Sequence, residues 1–263
     1  MNILEKIIAH KASEVAVAKA LCSVKSLEAL PKFAVPCLSL KQFLLDENKT
    51  GIIAEYKRKS PSKGIINDTA TVETVTMAYT QHGASGISVL TDSHFFGGSL
   101  ADLVAAGINE IPLLRKDFMI DEYQIIEAKA HGAAVILLIA ACLSPLQVKQ
   151  LATVAKQIGL EVLLEIHNET ELGHICDEID MVGVNNRNLK DFNVDIEASA
   201  RLFMQIPANK LAIAESGISN SDTIVFLRSI GFKGFLIGEH FMKQPEPNIA
   251  FANFVAELKT KPR

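Results

Sequence analysis

The sequence predicts an α/β protein, a (β/α)8 barrel carrying a helical N-terminal extension. Three observations carry that expectation. From Gly51 onward a short apolar, β-branched run recurs, each copy followed by a loop and a helical stretch. Eight such runs fit into about 213 residues, roughly 27 per unit, which is the arithmetic of eight βα units closing on themselves. Finally, no glycine-rich phosphate turn of the GxGxxG or GxxxxGK[ST] kind occurs, although an open doubly wound sheet would usually carry one after its first strand.

Taken in order, residues 1 to about 50 show only helix signals. Ile3, Leu4, Ile7, Ile8, Ala12 and Val15 recur near helical spacing and predict one amphipathic helix. Pro31 and Pro36 then punctuate the chain, and LSLKQFLLD reads as a second, short helix. The eight strands follow as GIIAEY (51–56), GISVL (86–90), IPLLR (111–115), AAVILLI (133–139), LEVLLEI (160–166), DMVGV (180–184), KLAIAE (210–215) and GFLIG (234–238). Strands alternating with helices imply parallel pairing. No linker or composition shift interrupts 51–263, so residues 1–263 are expected to form a single TIM-barrel domain with 1–50 as its extension.

Composition excludes several classes. Apolar residues at 49% and charged residues at 21% rule out a disordered chain or a disulfide scaffold. A net charge of −4 argues against a general nucleic-acid binder. The longest apolar run, Ala133 to Leu143, is too short to span a bilayer, and the N-terminus lacks a signal-peptide hydrophobic region. Cysteines 22, 37, 142 and 176 form no close pair, which fits reduced thiols. A soluble, cytoplasmic protein without nucleic-acid or membrane partners is expected, monomeric, with a weak dimer as the alternative.

The unusual polar residues fall at strand ends, where barrels keep their chemistry. Strand one finishes AEYKRKSPSKG, strand three LLRKDF, strand five LLEIH, strand six GVNNRN, strand seven AIAESG and strand eight FLIGEH. Residues two apart share a face, so Glu55 with Lys57, and Asn185 with Arg187, point the same way. If that way is inward, Glu55, Lys57, Lys116, Glu165, Asn185, Arg187 and Glu215 converge at one mouth. The bland alternative is an interior salt-bridge network, although buried ion pairs contribute weakly to stability. Ser216-Gly217 and Gly238 fall where many barrels bind phosphate through backbone N–H groups, or they are ordinary turn residues.

Other positions read more weakly. Cys142 lies in an apolar run and is expected in the core. His94-Phe95-Phe96-Gly97-Gly98 suits an aromatic lid, or simply a packed loop. Glu165 and His167 are spaced like a metal pair, but no third ligand stands at useful spacing, and no metal is expected.

The segments IIAEYKRKSPSKG, VLTDSHFFGGSLADL, PLLRKDFMIDEYQIIEA, VLLEIHNETEL, GVNNRNLKDFNVDI, AESGI and GFLIGEHFM together resemble the indole-3-glycerol phosphate synthase family. The opening ILEKIIAHKASEV resembles that family's N-terminal extension. The resemblance implies a cofactor-free lyase of tryptophan biosynthesis that closes the pyrrole ring of a carboxyphenylamino-deoxyribulose phosphate, a small sugar-phosphate substrate, with loss of CO2 and water.

It also implies roles. Lys116 resembles the general acid, provided neighbouring positive charge lowers its pKa, and Glu165 resembles the base. Lys57 resembles the partner of the substrate carboxylate with a share in the acid duty. Glu55 and Glu215 resemble groups that hold the lysines, and Asn185 and Arg187 those that orient carboxylate and sugar hydroxyls. Ser60, Pro61, Ser216, Gly217, Gly238 and the backbone of Glu239 fall at substrate- and phosphate-binding positions. Tyr56 and His240 depart from the family's aliphatic and small residues at those places. Parity turns Tyr56 toward the helices, and His240 stands beside the phosphate site. The rivals are another sugar-phosphate barrel, such as phosphoribosylanthranilate isomerase with its Cys/Asp pair, and a non-catalytic phosphate-binding barrel.

Overall fold

The computed structural model describes residues 2–187 and 195–262. Part of the GVNNRNLKDFNVDI segment, 188–194, lies outside the described residues. All eight predicted strands are present: β1 (Ile52–Tyr56), β2 (Gly86–Leu90), β3 (Leu113–Lys116), β4 (Val135–Ile139), β5 (Glu161–Ile166), β6 (Met181–Asn185), β7 (Leu211–Glu215) and β8 (Gly234–Ile237). They pair in parallel in chain order, and β1 closes the barrel on β8. A two-stranded hairpin of Lys59–Ser60 and Gly64–Ile65, not anticipated, shapes the loop after β1.

Period-two alternation divides the core. Ile52, Ala54 and Tyr56 of β1, like Val162, Leu164 and Ile166 of β5, face the helices in one large apolar layer. Ile53, Leu114, Leu137, Leu163, Met181, Ile213 and Leu236 fill the barrel interior as a second cluster. Tyr56 therefore points outward, as parity predicts, and its hydroxyl donates to the Ala70 carbonyl at 2.8 Å. The inward positions above the apolar floor are Glu55, Lys116, Glu165, Asn185 and Glu215, so the charges rise to the C-terminal mouth.

One unit departs from the repeat. Between β5 and β6 stands only a 3-10 helix, Glu169–His174. The sequence repeat predicts a helix there as in the other units, but the chain is too short for a loop and a full α-helix.

The extension closes both ends. Helix α1 (Ile3–Leu21) starts with a capping box between Asn2 and Glu5, and Ile3, Leu4 and Ile7 line the cavity at the C-terminal mouth. The predicted short helix appears as Leu40–Leu45. Its Leu40 and Leu44 join the interior cluster from the N-terminal end. A Cβ on Gly86 would meet Leu40 Cδ1 at 2.6 Å, so this plug requires glycine at the start of β2.

The inner face of α1 differs from its apolar pattern. Ala12 is exposed, while Lys11 is buried at 1% exposure. Its ammonium lies 3.0 Å from Asp92 and 2.9 Å from Asp117, carboxylates that follow β2 and β3. Burial opposes that charge, but Asp117 and then Asp92 and Glu14 outweigh it and raise the lysine pKa.

Candidate active site

Lys116 ends β3 pointing inward, and its Nζ donates to Glu165 Oε2 at 2.9 Å and to Glu215 Oε2 at 3.3 Å. β-sheet register brings these groups together, because Glu165 sits opposite Gly183 and Asn185 opposite Glu215. Gly183 makes the room: a Cβ there would lie 2.0 Å from Glu215 Oε1. Asn185 Nδ2 donates to Glu165 Oε1 at 3.1 Å, and Asn185 Oδ1 accepts from the Arg187 backbone N–H.

The electrostatics overturn one sequence-based premise. Lys116 is surrounded by carboxylates, not by positive charge. Burial works against its ammonium, but Glu165, Glu215 and Glu55 outweigh burial and raise its pKa. Burial would also lift Glu165, yet the Lys116 charge and the neighbouring His167 imidazole hold it well below the usual carboxylate range. Glu215 goes the other way. Burial, helped by the Glu165 charge against the pull of Lys116, lifts it to about 7. Its Oε1 is buried without a hydrogen-bond partner among the described residues. The cluster thus holds a charged lysine, a charged glutamate and a third carboxyl lifted toward the neutral range.

A second pair stands alongside. Lys57 Nζ donates to Glu55 Oε1 at 2.6 Å, and Ser88 donates to Glu55 Oε2. Gly238 is required there, since its Cβ would lie 2.5 Å from Glu55 Oε1. The phosphate candidates gather on the same side of the mouth. Ser216 and Gly217 follow β7 with φ of 67° and 74°, a left-handed turn that a serine rarely adopts. Gly238 and Glu239 follow β8 at the start of the short helix Glu239–Met242. Ser60 and Pro61 approach from the hairpin after β1, and Arg187 donates to the Glu239 carboxylate at 3.1 Å, tying the β6 and β8 loops. Every site residue singled out from the sequence lines this one cavity.

Some features were missed or differ. The apolar half of the cavity comes from Ile3, Leu4 and Ile7 of α1 with Phe96, Phe118, Leu137 and Ile139. Phe96 reaches the site, but its loop is packed: Asp92 accepts from the Phe95 and Phe96 backbone N–H groups. Cys142 is half-buried and touches both core layers rather than sitting inside one. His240 lines the cavity and packs edge-on against Phe241 and Phe254.

His167 does not enter a metal cluster. No group of three such ligands exists among the described residues. Instead its Nε2 faces Glu165 Oε1 at 3.2 Å and its Nδ1 faces Glu171 Oε2 at 3.3 Å. Glu171, on the short 3-10 helix, gave no signal in a strand-by-strand reading. Lys11, which meets Asp92 and Asp117, gave none either, because its partners come together only in the fold.

A lysine and two glutamates in direct contact at the C-terminal mouth of a closed (β/α)8 barrel, within a cavity that also takes the loops after β7 and β8, define the class: a barrel of the enzyme type with ionisable groups gathered in one cavity. The family model described as indole-3-glycerol phosphate synthase matches residues 4–254. An indole-3-glycerol phosphate synthase of Bacteroides thetaiotaomicron is 46% identical, covering 98% of this chain and 99% of that protein. One of Acinetobacter baumannii is 40% identical over 98% and 97%. Among solved structures, a tryptophan synthase complex from Pyrococcus furiosus matches with a TM-score of 0.61 at 16% identity, covering 81% of this chain and 99% of that one. That likeness shows the shared barrel alone.

The chain belongs to the indole-3-glycerol phosphate synthase family. Its activity is the carboxy-lyase step of tryptophan biosynthesis, ring closure of 1-(2-carboxyphenylamino)-1-deoxyribulose 5-phosphate to indole-3-glycerol phosphate with loss of CO2 and water.

Proposed function

We propose that Lys116 is the general acid of this ring closure and Glu165 its base. The observation that carries the reading is their 2.9 Å contact at the cavity floor. An ammonium paired to two carboxylates is a poor acid at rest. The incoming substrate carboxylate and ribulose carbonyl compete for that ammonium, and proton transfer to the carbonyl oxygen lets the anthranilate carbon attack it. Once Lys116 has given up its proton, Glu165 loses its strongest cation and becomes more basic. It then takes the proton whose loss restores the aromatic pyrrole. The pair is self-timed: donation by the acid switches on the base.

Lys57 meets the substrate carboxylate and shares the acid duty, held by Glu55. Glu215 holds Lys116 and, with a pKa near 7, gives or accepts a hydrogen bond as the step demands. Asn185 and Arg187 orient the carboxylate and the sugar hydroxyls. Ser60, Pro61, Ser216, Gly217, Gly238 and the Glu239 backbone receive the phosphate, where oriented N–H groups favour an anion. No metal or organic cofactor is required by this chemistry. We read 1–263 as one barrel domain with 1–50 as its extension, since Leu40 and Leu44 complete the interior core. The enzyme acts in the cytoplasm as a monomer and binds no nucleic acid. The absence of any described helix long and apolar enough to cross a membrane accords with this placement.

The chain has no tryptophan, so indole fluorescence growing with time reports product alone. Growth with the authentic substrate that disappears in Glu165→Gln supports the assignment. Undiminished turnover in that variant overturns Glu165 as base.

A further inference from the structure

The second asparagine after β6 has no part in the chemistry described so far. Neighbouring residues on an extended chain face opposite ways. Asn185 points inward to Glu165, so Asn186 turns away from the cavity, and it is buried at 5% exposure. There its amide is held from both sides. Oδ1 accepts from the hydroxyl of Ser199, on the helix Ile196–Phe203. Nδ2 donates to the Ser216 carbonyl at 2.8 Å. A carbonyl only accepts, so the NH2 group must face Ser216, and the Ser199 hydroxyl takes the remaining oxygen. The backbone is fixed as well. The Asn186 N–H donates to the Glu215 carbonyl at 2.9 Å, and the Asn186 carbonyl accepts from the Asp195 N–H at 3.0 Å.

What the amide holds is the strained part of the mouth. Glu215 faces the Lys116 cluster, while Ile218 joins the apolar layer under the helices. Ser216 and Gly217 alone must redirect the chain between them, and both take a positive φ. Glycine enters that region freely, but an L residue there presses its Cβ against the following carbonyl oxygen. Among the described residues Ser216 is the only non-glycine with a positive φ. Such a backbone persists only where its surroundings fix it. Asn186 fixes the Ser216 carbonyl, which any relaxation of the turn would have to move.

We propose that Asn186, oriented by Ser199, is a positioning residue for substrate binding: it holds the Ser216-Gly217 turn in the left-handed form that receives the substrate phosphate. This rests on the phosphate reading of that turn. Ser216 and Gly217 line the cavity, and Asn186 does not. Successive backbone N–H groups in a turn of this kind form an anion-binding concavity. Asn186 therefore acts through the shape of the free site. It serves ground state and transition state alike, so its loss appears in KM and not in kcat.

Steady-state kinetics of Asn186→Ala, read by indole fluorescence with inorganic phosphate as a competitor, test this. KM and the phosphate inhibition constant are both expected to rise about tenfold, the factor by which an L residue avoids the left-handed region. The expected kcat stays within about twofold of wild type. With Ser216→Gly already in place, the same Asn186→Ala is expected to move both constants by less than about twofold, because glycine adopts the turn unaided.

An unchanged KM in Asn186→Ala overturns the proposal. An equal rise with and without Ser216→Gly also overturns it, leaving Asn186 as a general support of the β6 loop. A fall in kcat with KM unmoved does the same and ties Asn186 to the chemistry beside Asn185. If Asn186→Ala misfolds by circular dichroism, Ser199→Ala serves. Freeing the amide is expected to raise both constants about threefold, again only where Ser216 is retained. Phosphate that fails to compete with substrate in the wild-type enzyme is a separate result: the phosphate reading of the turn has then failed, and the proposal falls with it.

Discussion

Lys11 is buried and Lys116 partly buried, each held between two carboxylates at the C-terminal ends of barrel strands, and only Lys116 faces the cavity. Lys11 docks α1 onto Asp92 and Asp117 with its ammonium sealed, and Asp117 is further bound by Arg115 and Thr91. Lys116 keeps a partly open face, beside an unpartnered Glu215 oxygen and a Glu165 that is itself approached by a histidine. A buried ion cluster is therefore not a site by virtue of its charges. In the sealed one both aspartates close on the Lys11 ammonium, although Asp92 Oδ2, like Glu215 Oε1, completes no hydrogen bond among the described residues. In the open one the third carboxyl lies near its titration point, so the cluster can change state at neutral pH.

The largest way to test that contrast is Lys116→Ala. Removing a positioned acid is expected to lower kcat by about 10²–10⁴. The folded state survives, because Glu215 can take up a proton and relieve the exposed like charges. Steady-state indole fluorescence beside a urea unfolding curve reads both quantities. A variant that unfolds but, when folded, turns over normally would make Lys116 the structural lysine.

Lys11→Met is the mirror experiment. It strands two buried carboxylates, and breaking such a cluster costs about 3–5 kcal/mol. The urea midpoint is expected to fall accordingly, while kcat per folded molecule stays within a few-fold. A large kcat loss with unchanged stability would put Lys11 among the functional groups.

These two lysines also measure what the sequence could reveal. The eight strands were legible because each inner run is apolar on both faces, and Lys116, Glu165 and Glu215 because a charge ending such a run is conspicuous. Lys11 was not, since helical periodicity assigns a lysine to the solvent side and only the fold supplies its partners. The missing helix after β5 escaped because the eightfold repeat favoured regularity over the shortness of that connection. Ser216 carried no sign of its left-handed backbone, a geometry glycine would have advertised. The carboxylate shell of Lys116 was hidden for another reason. Which strand ends touch depends on register, and register across a barrel leaves no local trace.

Gly183→Ala tests whether geometry alone governs the open cluster. The new methyl group would collide with the Glu215 carboxylate, which must leave Lys116. A displacement of that size near the chemistry is expected to lower kcat about 10–100-fold, with the unfolding midpoint nearly unchanged. Unaltered kcat would show that Glu215 need not stay where it is.

The finest discrimination is by pH. The folded pKa of Glu215 is raised to about 7 from the ordinary 4.5, so the folded state binds the proton more tightly than the unfolded chain. That contribution is fully present below 4.5 and is lost as pH rises through 7. In the sealed cluster Asp117 is depressed below 3.8 and Lys11 raised above 10.5, so its contributions are lost only in acid below 3.8 and in alkali above 10.5. Glu215→Gln removes the titration of this cluster that falls in the neutral range. Its stability relative to wild type is expected to climb by roughly 2 kcal/mol between pH 5 and 8 and to level off above. Urea midpoints at half-unit pH steps read that difference. Parallel curves would mean that Glu215 is ionised throughout, and the open cluster would then be as rigidly charged as the sealed one.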